Sequence, residues 1–161
     1  MATSMVTGGT SGIGREFVTQ LAARGDDIVI VARDTERMAA IKADVEARYG
    51  VSVETIAADL SRREDVDQIT TRVEDPNHPV DLLVNNAGFA VHAKILDPEA
   101  LELHDRAVEV MMRAVLVLSA AAGRAMKARG HGAILNLSLI HISEPTRKEA
   151  ISSAVFCLKK K

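Results

Sequence analysis

Aromatic residues are almost missing from this chain: its 161 residues include no Trp, three Phe and a single tyrosine, Tyr49. Any reaction that needs a tyrosine as acid or base must use Tyr49 or do without. Cysteine is as scarce. Cys157 alone excludes an internal disulfide, and no Cys/His pairing has zinc-ligand spacing, so no metal site is expected. Charge of one sign is not in excess either. A net charge of −2 and a pI near 6.2 exclude the basic surface of a nucleic-acid backbone binder, and no aromatic-plus-basic patch takes its place. The longest apolar runs, such as Ala114-Val115-Leu116-Val117-Leu118, fall far short of the ~20 residues that span a bilayer. Met1 to Gly9 lacks the basic-then-apolar order of a secretory signal. The expectation is a cytoplasmic protein with one core rather than two.

What is present is alternation. Short β-branched apolar runs take turns with longer segments of helical period, the pattern of βα units feeding a parallel sheet. Met5-Val6-Thr7 predicts a first strand and Ile13 to Ala23 a helix with a glycine stop at Gly25. Ile28-Val29-Ile30-Val31-Ala32 is apolar on both faces, as in a central strand covered by helices on each side. Asp34 offers an N-cap for a second helix to about Tyr49, stopped by Gly50. Val51 to Ala57 alternates and ends in Ala58-Asp59-Leu60, and Ser61-Arg62-Arg63-Glu64 reads as a capping box that starts a third helix. Pro76-Asn77-His78-Pro79 is a loop before a fourth strand, Val80 to Val84, which runs into Asn85-Asn86-Ala87-Gly88. Asp97-Pro98-Glu99 signals the start of a long Ala-rich helix or helix pair ending near Arg129-Gly130, and His131 to Asn136 opens a fifth strand.

Gly8-Gly9-Thr10-Ser11-Gly12-Ile13-Gly14 falls between the first strand and the first helix. A dinucleotide's pyrophosphate needs backbone N–H groups at a helix N-terminus, and close approach needs residues without a Cβ. By itself the cluster also reads as a tight βα turn. A P-loop is excluded, because Arg15 follows Gly14 where a Lys-Ser/Thr pair is required.

Thr7 to Gly14, then Asp59-Leu60, then Asn85-Asn86-Ala87-Gly88 resemble the ordered motifs of the short-chain dehydrogenase/reductases, at the ends of strands one, three and four. The resemblance runs from about Thr3 to Asn136. It implies a doubly wound parallel sheet of Rossmann type, incomplete at its C-terminal side, with NAD(P) across the strand ends. By the same resemblance, Thr10, Ser11, Gly12 and Ile13 line the phosphates, and Gly8 and Gly14 belong to the same cofactor-binding turn. Asp59 and the backbone of Leu60 contact adenine, and Asn86, Ala87 and Gly88 lie beside the nicotinamide-side ribose. Plainer roles stand next to these: Asp59 as a cap at Ser61, and Asn85 as a brace between strands. Arg33 occupies the place where NAD-preferring members carry an acid that repels a 2′-phosphate, so NADP is expected, with NAD as the alternative. Asp34 reads both as a helix cap and as a ribose ligand.

His92 and His104 are the remaining acid–base candidates. Arg106, Arg113, Arg124 and Arg129 with Glu102 and Glu109 read as a solvated helix face. The resemblance implies an oligomer through the long helix and a small carbonyl or alcohol as substrate, with no nucleic-acid or membrane partner.

The family's proton donor is a Tyr followed four residues on by a Lys, aided by a Ser and an Asn. Here no Tyr-x-x-x-Lys follows Asn136, the Asn position reads Met111, and the serine position reads Leu139, with Ser138 nearest to the family's serine pair. No catalytic set is intact, and the chain as written is expected to be inactive. The change is abrupt. Up to Asn136 the basic residues are twelve Arg and three Lys; from Leu137 onward they are one Arg and four Lys. Leu137 to Arg147 resembles a translated transposase-type sequencing adapter, and Ile151 to Leu158 with the Lys run resembles its far end running into poly-A. Residues 1–136 are therefore expected to form the cofactor-binding domain, and 137–161 a non-native or disordered tail. The competing readings are a genuine divergent tail, a noncatalytic NADP-binding or sensor protein, and a chain that does not fold stably.

Overall fold

A computed structural model describes residues 1–92, 94, 96, 98–138 and 152–157. The β-branched runs form β1 (Thr3–Thr7), β2 (Asp27–Ala32), β3 (Val53–Ala57), β4 (Leu82–Asn85) and β5 (Ala133–Ser138). Between them stand α1 (Gly12–Ala23), α2 (Thr35–Tyr49), α3 (Arg63–Glu74), α4 (Leu101–Val108) and α5 (Ala114–Arg129). β6 (Ser152–Cys157) closes the series. The sheet order is β3-β2-β1-β4-β5-β6, with the first five strands parallel and β6 antiparallel on β5. The chain winds outward from β1 to β3, then crosses back to β4 on the other side of β1. That reversal opens a crevice at the carboxyl ends of β1 and β4, where doubly wound sheets hold ligands.

Apolar residues on both faces of the inner strands require helices on both sides. Met5, Val29, Val31 and Leu83 pack with Val66, Ile69 and Val73 of α3 and Leu118, Ala121 and Met126 of α5. Their neighbours in sequence, Val6, Ile28, Ile30 and Val84, face the other way, onto Val18 and Leu21 of α1 and Met38, Ile41 and Val45 of α2. The period of two along a strand thus divides one apolar run between two cores.

The expected stops hold: Asp34 accepts a hydrogen bond from Arg37 N, and Gly50 ends α2 in the left-handed region at φ 67°. The start of α3 differs from expectation. No capping box forms at Ser61, because the Asp59 carboxylate takes both the N–H and the hydroxyl of Ser61. Asp65 instead reaches back to accept the Asp59 N–H at 2.7 Å. The long Ala-rich segment opens with a 3-10 turn at Pro98–Ala100 and runs on from Leu101 to Arg129, with one π-helical turn at Glu109–Arg113. Asp97 lies outside the described residues, as do Leu139 and most of the adapter-like stretch.

Candidate functional site

β1 ends at Thr7, and the chain turns back through Gly8 at φ 68° to enter α1. A Cβ on Gly14 would overlap the Gly8 carbonyl and the Asn86 amide, so the first turn of α1 lies against the loop only because position 14 is glycine. Ser11 is the N-cap residue, yet its hydroxyl makes no cap hydrogen bond, and the first helical bond runs from Arg15 N to Ser11 O. Among the described residues no hydrogen bond is found for the N–H groups of Gly12, Ile13 and Gly14, as at any uncapped helix start.

β4 ends beside this loop and is tied to it. Thr7 Oγ1 accepts the N–H groups of Asn86 and Ala87 at 3.0 and 3.1 Å, and donates to Val84 O. The Asn86 side-chain amide donates to the carbonyls of Thr7 and Gly8. Its N–H groups are therefore spent on the protein, so only its carbonyl oxygen remains for a ligand. Gly88 faces Met111 of the π turn; a Cβ there would stand 3.3 Å from the thioether sulfur. Asn85 points into the core, where its amide donates to Ser119 Oγ and Asn136 Oδ1 at 3.1 and 2.8 Å. It braces β4, β5 and α5, the plainer of its two readings.

These segments surround one cleft of about 340 Å3. Its walls include Gly8, Thr10, Ser11, Gly12 and Ile13 from the turn, Arg33 after β2, Asp59 and Leu60 after β3, and Asn86, Ala87 and Gly88 after β4. Every expected cofactor residue except Gly14 lines it, and Gly14 acts one layer behind. Asp34 is not among the described lining residues: its oxygens are held by Arg37 N and the Arg37 guanidinium at the start of α2.

Asp59 both caps and lines. Burial works to raise its pKa, but the N–H and hydroxyl of Ser61 and the charges of Arg106 and Arg33 prevail and hold it below the usual carboxylate value. Arg106, Val110 and Phe89 also line the cleft, and nothing in the spacing announced them. The expected solvated face holds at Arg106 and Arg124, whose side chains are 44 and 64% exposed, but these charges also find partners. Arg106 approaches Asp59 at 3.5 Å, Arg124 pairs with Glu74 of α3, and Arg129 donates to Val80 O; only Arg113 stays within its own helix, on Glu109. Arg124 finds its partner because α5 packs against α3, a long-range fact invisible to local pattern.

Neither His92 nor His104 is among the described lining residues. Tyr49 closes α2 just before β3 begins, at the end of the strands remote from the cleft, and packs on the α1–α2 core. Ser138 ends β5, its backbone registered with Ser152 of β6.

Residues 2–154 match the family model for short chain dehydrogenases. The chain belongs to that family. Its members among the relatives include a short chain dehydrogenase of Pseudocercospora fijiensis, 33% identical over 89% of this chain and 47% of its own length. The L-xylulose reductase of Mesocricetus auratus is 34% identical over 98% of this chain and 59% of its own. Among solved structures, a short-chain dehydrogenase of Sphingobium yanoikuyae in complex with NADPH superposes with a TM-score of 0.77 at 33% identity, covering 83% of this chain and 52% of that one. A bulky-bulky ketone specific alcohol dehydrogenase of Comamonas testosteroni gives 0.78 at 30% identity, with shares of 83% and 53%. This family chain thus spans about half the length of the relatives it matches. No described helix is long and apolar enough to cross a membrane.

Proposed function

We propose that the chain is the cofactor-binding half of an NADP-dependent oxidoreductase acting on a small carbonyl or alcohol. One observation carries the cofactor choice: Arg33 lines the cleft while the neighbouring acid, Asp34, is turned into the cap of α2. A guanidinium at that place attracts a 2′-phosphate with charge-assisted hydrogen bonds, and its neighbour in sequence, Asp34, is engaged by Arg37. The uncapped N–H groups of Gly12, Ile13 and Gly14 suit a pyrophosphate, with Thr10 and Ser11 at the rim and Gly8 clearing the approach. Asp59 and Leu60 border the adenine end; Asn86, Ala87 and Gly88 border the nicotinamide-side ribose. The bound dinucleotide supplies hydride chemistry.

What this chain's residues contribute is binding and orientation. Proton supply is missing, because the sole tyrosine stands at the far end of the sheet, and the chain alone is expected to bind without turnover. Titrating it with NADPH and NADH tests the reading. The expected preference for NADPH is on the order of ten- to a hundredfold, carried by one charge-assisted contact, and Arg33→Ser should erase it; tighter binding of NADH would overturn it.

Met111 favours a second reading. A thioether stands at the family's Asn position, against Gly88, as in a noncatalytic NADP-binding protein that lost its chemistry. The locus itself discriminates. The adapter-like order of residues 137–147 supports a foreign origin for residues 137–161, and the family match that extends to residue 154 opposes it. Sequencing past the Asn136 codon should recover a different continuation: Tyr-x-x-x-Lys there supports the enzyme, its absence the binding protein, and the same tail from an independent library refutes the foreign origin. For the oligomer, Val108, Met112 and Leu116 form an exposed apolar stripe, 51, 66 and 70% accessible, along the long helix. Light scattering of the chain and of Met112→Glu tests whether that stripe pairs two copies.

A further inference from the structure

One ion pair stands in the lining of the cleft. Asp59 follows β3 and Arg106 stands on α4, elements 47 residues apart, and both line the cavity. The two oxygens of Asp59 are used unequally. Oδ1 is fixed by Ser61 N and Oγ at 3.0 and 2.8 Å, so the carboxylate cannot swing. Oδ2 meets Arg106 Nη2 at 3.5 Å, at the limit of a hydrogen bond. Arg106 is thus a planar cation steered by a fixed anion, yet held loosely enough to shift. Its side chain is 44% exposed, and no other hydrogen-bond acceptor for it is found among the described residues. One turn on, Val110 supplies an apolar floor, 8% exposed, in the same wall.

A planar guanidinium beside an apolar floor and a fixed carboxylate is what a purine ring requires: a face to stack on, a surface to cover and an acceptor for its edge. We propose that Arg106 is a base-contacting residue that closes over the purine of the bound dinucleotide, with Asp59 holding its plane in position. This rests on the cofactor reading above, whose specificity was assigned to Arg33 alone; Arg106 adds affinity at the base itself. Because stacking needs only a π-face, the contribution is the same for a 6-amino and a 6-oxo purine. Hydrogen bonding to Asp59, in contrast, distinguishes them, since only the 6-amino group donates.

The experiment measures binding of NADPH and of its hypoxanthine analogue to the 161-residue chain, to Arg106→Leu and to Arg106→Lys, with thermal melts as a control on folding. Arg106→Leu should weaken both ligands by a common factor on the order of three- to thirtyfold, and Arg106→Lys, which keeps the cation without the plane, should recover part of the loss. Unchanged affinity in Arg106→Leu overturns the proposal while leaving the cofactor reading intact. A loss confined to NADPH, with the hypoxanthine analogue unaffected, also overturns it, because Arg106 would then act only by orienting Asp59. If the unaltered chain binds neither ligand, the cofactor reading falls and this proposal with it.

Discussion

Thr7 and Asn86, 79 residues apart in sequence, hold each other by side chain in both directions: Thr7 Oγ1 accepts the Asn86 backbone N–H, and the Asn86 amide donates to the Thr7 carbonyl, both at 3.0 Å. The crevice exists in its observed form because these bonds fix the end of β4 against the turn after β1. Replacing Thr7 with Val keeps the shape and strands two N–H groups, those of Asn86 and Ala87. The expected cost is about 1–3 kcal/mol for each N–H left buried without a partner, and Thr7→Ser should recover most of it. Urea denaturation of the three proteins checks this; a Val variant as stable as the parent refutes it.

Gly14→Ala tests the contact between α1 and the turn. The added methyl meets the Gly8 carbonyl and the Asn86 amide, backbone on one side and a thrice-anchored residue on the other. An overpacking cost of about 1–3 kcal/mol is expected, together with loss of nucleotide-induced thermal stabilisation. Gly12→Ala is the contrast: among the described residues no atom lies within 4 Å of a Cβ there, and its φ of 52° is what opposes the change.

Buried Asn85 and the half-buried Ser119 and Asn136 form a hydrogen-bonded triad joining β4, α5 and β5. Asn85→Ala leaves the Asn136 carbonyl oxygen without its 2.8 Å donor, at about 1–3 kcal/mol. The double variant with Asn136→Ala should cost clearly less than the sum of the singles, because the second change removes the group the first left unsatisfied. Additive losses in a double-mutant cycle would deny the coupling.

Asp26 is 4% exposed at the opposite end of the sheet, bonded by Ser4 Oγ at 2.6 Å and paired with Arg24. Burial works to raise its pKa, but the hydrogen bonds from Arg24 and Ser4 and the Arg24 charge hold it below the usual carboxylate value. A folded pKa below the unfolded one, about 3.9, means that the stabilisation is present above that pH and is lost as pH falls through the folded value. Asp26→Asn should therefore cost stability at pH 7, about 1–2 kcal/mol after allowing for the exposure of Arg24. The difference from the parent should shrink below pH ~4. Denaturation midpoints at neutral and acid pH measure it; a constant difference contradicts the linkage.

Much of this molecule is written locally. The order of strands and helices, the Asp34 cap, the Gly50 stop and the glycine turn depend on neighbours within a few residues, so their signals survive in the chain as text. The family motifs could be read for the same reason, as could the lack of a tyrosine near the strand ends. Local reading failed at Ser61, where Asp59 took the hydroxyl expected to cap α3, and was incomplete at Arg106, which is exposed as expected but also lines the cleft beside Asp59.

The sequence by itself determined a doubly wound parallel sheet with a glycine turn after its first strand, and Tyr49 as the one tyrosine. The tertiary structure alone decided that the Asn86 amide serves the Gly8 turn and that α4 brings a second arginine to Asp59. Each of these depends on competition among donors and acceptors brought within about 3 Å by packing. That competition is settled only when strands far apart in the chain have paired.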